Sequence, residues 1–153
     1  MGTKFNEGMR TVFSRIVLAA SAALMLTGGV ALAQDVIQTR KAGFEDYKKA
    51  MGEIKDAVGK GDLAAIGPVT DRIDAFAARI PSLFPPGSDK GKTAAKEVIW
   101  ANFPDFTAKA QGLQASAQAL KVAAASGDRA ATAKAFGAMA DSCKACHQRY
   151  RSE

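Results

Sequence analysis

Beyond residue 34, apolar side chains return at steps of three and four, and almost nowhere do they alternate as in a half-buried strand. Arg40, Phe44, Tyr47, Met51, Ile54 and Val58 mark one face of a first helix over 35–59, which Gly59 to Asp62 ends. Asp62 can cap a second helix with Ile66, Val69, Ile73, Phe76 and Ile80 inward, stopping before Pro81. Proline suits only a first turn, so Pro68 means that the regular helix starts near Gly67 or kinks there. Pro81, Pro85, Pro86, Gly87 and Gly91 make 81–93 the one long loop, and a short helical segment over Thr93 to Trp100 follows it. The cleanest seam is Phe103, Phe106, Ala110, Leu113, Ala117, Leu120 and Ala124 in a third helix. Gly127-Asp128 then repeats the Gly61-Asp62 break, and a fourth helix lines up Phe136, Met139, Cys143, Cys146 and Tyr150. Four amphipathic helices with mostly short joints predict an all-α fold, an antiparallel four-helix bundle. Its alanine-rich seams bring helices close at one end and leave room for a large group at the other.

The segment 1–33 has a different character. Lys4, Arg10 and Arg15 precede an apolar run from Ile16 to Leu26, and Ala31-Leu32-Ala33 stands just before Gln34. That order reads as a secretory signal peptide cleaved after Ala33, with Met9 as an alternative start to Met1. A membrane anchor is the competing reading, but the run is shorter than the roughly 20 residues a bilayer requires. The mature chain, 34–153, suits one domain in the periplasm, with no stable membrane insertion after cleavage. Removing three positive charges and one negative from the leader lowers the net charge from +6 to +4. Lysine and glutamate are mixed along the helices without a basic stripe and interleaved aromatics, so nucleic acid is not an expected partner.

The chemistry concentrates in Cys143-Lys144-Ala145-Cys146-His147. On a helix, positions i, i+3 and i+4 point within about 100° of one another, so both sulphurs and the imidazole reach one object. In C-x-x-C-H attachment the thiols add to the two vinyl groups of a haem and the following histidine ligates the iron. The chain contains two cysteines and one histidine in all. A structural zinc site would have to recruit carboxylates to reach four ligands. A thioredoxin-like pair would open a helix after a strand, and a plain disulfide would leave His147 without a task. The pentapeptide therefore predicts one covalent haem c per chain near the C-terminal helix, with His147 as the metal ligand.

A haem motif at the C-terminus of the fourth helix resembles the class II cytochromes c, and most of all cytochrome c′. Thr39-Arg40-Lys41-Ala42-Gly43-Phe44, Ile99-Trp100 and Cys143 to Arg151 carry the likeness and frame the mature chain. The resemblance implies that Arg40 neighbours a haem propionate and that Phe44 covers the distal face of the iron. Lys41 stands where the family commonly has glutamine near a propionate. Thr93 would match a donor before the Ile-Trp pair, and Arg151 a basic residue beside the proximal pocket, although a cation there also suits a helix C-terminus. A homodimer through the first two helices is a further implication.

Low-spin relatives carry methionine where this chain has Phe44, and phenylalanine cannot ligate iron. Met51 and Met139 are the methionines of the mature chain. Met139 shares a helix with His147, and Met51 lies about 10 Å along the helix axis from Phe44. The expected function is therefore a five-coordinate haem protein that binds diatomic gases such as nitric oxide or carbon monoxide, or passes electrons to a redox partner the sequence does not identify. The alternative is a six-coordinate electron carrier with Met51 as sixth ligand. Catalysis is not expected: a peroxidase needs a distal base, and Glu45 or Asp46 would have to serve.

Overall fold

A computed structural model describes residues 35–153; the leader, its cleavage before Gln34 and the choice between Met1 and Met9 lie outside the described residues. Four long helices form where the seams predict them. They are α1 (35–60), α2 (Ile66–Arg79), α4 (Phe103–Ala125) and α5 (Arg129–Tyr150), with a single-turn α3 (Val98–Ala101) before α4. Helix α4 packs against both α2 and α5. Helix α1 meets α2 through Phe44 and Phe76, and α5 through Tyr47 and Cys143. The result is a four-helix bundle in which α1 and α4 each touch the same two neighbours.

The seam of α4 holds throughout: Phe106, Ala110, Leu113, Ala117, Leu120 and Ala124 are buried, and Phe103 is half-buried. Ile54, Ile66, Leu120 and Met139 complete the driest part of the core. Each such side chain contributes about 1.5–3 kcal/mol through apolar burial. The two Gly-Asp breaks work alike. Gly61 and Gly127 turn the chain at φ 77° and 75°, which glycine adopts without strain. Asp128 then accepts from the amides of Ala130 and Ala131 at the start of α5. Arg129 donates to the Gly59 carbonyl at 2.5 Å and ties the two breaks together.

Three details differ from the expected pattern. Asp62 caps a short 3-10 turn, Leu63–Ala65, rather than α2 itself, so α2 starts at Ile66 and Pro68 falls in its first turn. Along α2, Thr70 and Ala77 are buried with Ile66 and Ile73, whereas Val69 and Phe76 are only half-buried. Phe76 leans toward α1 instead, over Gly43. Finally, Thr93 to Glu97 is not helical. Its backbone pairs with the chain end: Lys96 N–H donates to the Tyr150 carbonyl, Ser152 N–H donates to the Ala94 carbonyl, and Ala95 bridges Arg151.

A Cβ at Gly43 would lie 2.2 Å from the Phe76 ring, whereas one at Gly52 on the same helix would meet nothing within 4 Å. Alanine should therefore act with opposite sign at the two sites. Gly52→Ala is expected to stabilise by about 0.5–1 kcal/mol through helix propensity. Gly43→Ala should destabilise by about 1 kcal/mol net, since displacing a packed ring outweighs the same gain. Denaturant midpoints of both variants check this.

Candidate functional site

The site lies at the bundle end that receives the C-terminus of α5. Cys143, Cys146 and His147 share one face of that helix, within its last two turns. Both cysteines are half-buried against the core, and His147 is exposed. Cys143 Sγ donates to the Met139 carbonyl at 3.1 Å, four residues back. Its single proton is thereby committed, so the Tyr47 hydroxyl, 2.7 Å from the same sulphur, is the donor in that second bond. Burial, and then the bond to Cys143, hold the Tyr47 hydroxyl far above the ordinary phenol range. Burial, and then the neighbouring Cys143, raise the Cys146 thiol. Although the side chain is exposed at the surface, partial desolvation of its ring, and then Arg151, lower the His147 imidazole and favour its neutral, metal-ligating form.

Opposite this face, α1 presents an aromatic wall. The Phe44 ring stands 6.4 Å from the His147 ring, centroid to centroid, with the planes at 71°. Phe76 supports it edge-on at 5.1 Å, and Tyr47 stacks on Phe76 at 6.5 Å. Met51, further along α1, is half-buried against the core. Met139 is completely buried.

Arg40 is 2 % exposed and pairs with no carboxylate among the described residues. Its two terminal nitrogens donate to the Leu83 carbonyl at 3.3 Å, Ser88 Oγ at 2.9 Å, the Ser88 carbonyl at 2.8 Å and Thr93 Oγ1 at 2.7 Å. Its carbon centre also lies 4.4 Å from the middle of the Phe84 ring. Burial lowers its pKa. Thr93 Oγ1 accepts a second bond from Ala95 N–H at 3.1 Å, which leaves its own proton free to donate. The structure thus brings Arg40 and Thr93 into contact across 53 residues. Lys41 and Arg151 are exposed. The Arg151 amide closes α5 by donating to the His147 carbonyl at 3.0 Å. At the same end, the Tyr150 hydroxyl donates to Asp105; burial, and then that bond, push it up to about 12.

Among the described residues no three His, Cys, Asp or Glu side chains converge to hold a metal ion unaided, so the zinc reading lacks ligands. A haem suits the donors present. Two thiols and an imidazole share one face, and the buried Arg40 guanidinium, with no carboxylate beside it, adds positive charge on the facing helix. A family model for cytochrome c′ matches residues 35–151. The chain belongs to the cytochrome c′ family. Such proteins bind haem c covalently, and the two cysteines of the C-terminal pentapeptide are the thiols this member has for it. Cytochrome c′ of Rhodospirillum rubrum is 32% identical over 91% of this chain and 99% of its own. A solved cytochrome c′ described as having ligand-controlled dimer dissociation aligns with a TM-score of 0.74 and 32% identity, over 79% of this chain and 97% of that one. A nitric oxide complex of a mutant cytochrome c′ from Alcaligenes xylosoxidans aligns with a TM-score of 0.71 and 28% identity, over the same shares.

Two members of the site were not read as such from the sequence: Ser88 and Tyr47. Ser88 stands in an irregular loop, where no period marks it. Tyr47 was assigned to the inner face of α1, but its partner lies 96 residues away.

Arg40→Lys keeps the charge and loses the planar fork that spans Leu83, Ser88 and Thr93. It should lower stability by about 3 kcal/mol, the scale of charged hydrogen bonds left unmade in a buried place. Amide exchange should accelerate at Ser88, Lys96 and Ser152, because the loop and the paired chain end lose their common support.

Proposed function

We propose that this cytochrome c′ family member is exported to the periplasm, holds a five-coordinate haem iron there, and serves as a binder of diatomic gases such as nitric oxide or carbon monoxide and as an electron carrier. In this reading Cys143 and Cys146 form the two thioethers and His147 is the proximal ligand. The bound haem c supplies the iron at which a gas is held or an electron is exchanged. Phe44 carries the conclusion: from α1 it sets an aromatic ring opposite His147, at 6.4 Å, and that ring has no lone pair to offer a metal. Phe76 keeps it there. The Phe44 ring also offers no hydrogen-bond donor to polarised dioxygen, so nitric oxide and carbon monoxide are favoured over oxygen carriage. The nitric oxide complex of the Alcaligenes relative supports the same ligand class.

Arg40 supplies positive charge toward the propionates, and Thr93, whose hydroxyl proton is free, supplies a donor. Lys41 and Arg151 add exposed positive charge at the ends of the same site. Glu45 and Asp46 are exposed, with Asp46 paired to Lys49 at 3.3 Å, so neither is placed as a distal base. That favours binding and electron transfer over peroxide chemistry. Among the described residues no helix is long and apolar enough to cross a membrane. Self-association would use α1 and α2, where an open groove combines Gly43, Tyr47, Ala50, Ile73 and Phe76 with the charged Asp46, Lys49, Glu53, Arg72 and Arg79.

The oxidised protein should show a high-spin optical and paramagnetic resonance spectrum, unchanged in Met51→Leu. Phe44→Met should move it toward six-coordinate low spin. A low-spin wild type that turns high-spin in Met51→Leu would make Met51 the sixth ligand and refute this reading. Export has its own test: mass spectrometry of the mature protein should find Gln34 at the N-terminus.

A further inference from the structure

Tyr47 stands one turn from Phe44 in the aromatic wall of α1 and joins that wall to the anchoring turn. It follows Phe44 by three residues on α1, and its partner Cys143 precedes His147 by four on α5. The bond between them, at 2.7 Å, is therefore one helical turn from the place where Phe44 and His147 face each other. The Tyr47 ring is itself held. It stacks on Phe76, and Phe76 sets its edge against Phe44. Moving the hydroxyl away from Cys143 would disturb the same aromatic stack that backs the wall.

The direction of the bond makes it compatible with the attached state. Cys143 Sγ spends its proton on the Met139 carbonyl and receives one from Tyr47. A thioether sulphur has no proton, so it gives up the first bond and keeps its capacity to accept the second. Among the described residues, no other side-chain hydrogen bond joins α1 to the face of α5 that carries Cys143, Cys146 and His147.

We propose that Tyr47 is a positioning residue that latches α1 to the first haem-anchoring sulphur, and so sets the width of the gap that Phe44 guards and the rate at which diatomic gases enter it. This rests on the five-coordinate reading above. Phe44 supplies the bulk of the wall and Tyr47 fixes its distance. With the latch open, α1 can move outward and carry Phe44 with it.

Tyr47→Phe in the haem-loaded protein tests the idea, because the ring and its stacking remain while the donor is lost. Carbon monoxide should associate with the reduced variant about two- to tenfold faster than with wild type, the factor set by the net strength of one hydrogen bond. Spin state should not change. Tyr47 and Tyr150 are the tyrosines of the chain. An ultraviolet resonance Raman difference between wild type and variant therefore isolates Tyr47, and it should show a hydroxyl donating to a weak acceptor. An unchanged association rate, or a Tyr47 band of a hydroxyl bonded to water, overturns the proposal. A six-coordinate wild type would refute the coordination reading by its own spectrum, while the Raman difference would still decide whether the latch exists.

Discussion

A guanidinium removed from water and given no carboxylate organises this end of the molecule. An isolated charge is expensive to bury, and Arg40 meets that cost with four hydrogen bonds and an aromatic face, all supplied by 83–93. The loop is held in turn, because its carbonyls and hydroxyls converge on a fixed point of α1. Thr93 passes the constraint to Ala95, Ala95 meets Arg151, and the Arg151 amide closes the turn of α5 that carries His147. One side chain on the first helix thus reaches the last turn of the fourth.

This explains what could be read from residue order and what could not. The seam of α4 was legible because its period is local: each apolar residue predicts the next three or four away, and all were found inside or at the edge of the core. The cysteine-histidine turn was legible for the same reason, since one turn of helix sets all three directions. The pairings that shape the site are of another kind. Arg40 to Ser88, Tyr47 to Cys143 and Lys96 to Tyr150 join positions 48, 96 and 54 apart, and no period along the chain announces them. The expected helix at Thr93 to Trp100 began late for this reason, as backbone groups of 94–96 were claimed by the chain end. Phe76 was assigned inward on α2 from its spacing, but the absence of a side chain at Gly43 offered its ring a nearer place.

The two walls of the site divide their work. On α5, chemistry is concentrated in few atoms: two sulphurs and an imidazole on one face. On α1, the contribution is shape and field, from a buried cation, a phenyl ring and a phenol in successive turns. Small residues permit this division. Alanine along α4 lets the helices close together there, while Phe44, Tyr47 and Phe76 fill the space between α1 and α2 and a second aromatic group, Phe84, Trp100, Phe103, Phe106 and Tyr150, packs around the loop and the start of α4.

The short pairing of 94–96 with 150–152 has a consequence for motion. Helix ends fray, because their last carbonyls lack partners and opening them costs little. His147 stands three residues from the end of α5, in the stretch that would open first in a bare helix. Here the Tyr150 carbonyl is taken by Lys96, and Ser152 grips Ala94. The terminal turn is thereby moved from the most labile class of backbone into a small clasp of two backbone hydrogen bonds and one isolated bridge. Excursions of the imidazole then require the clasp to release as a unit, which makes them rarer and slower than fraying, and all-or-none.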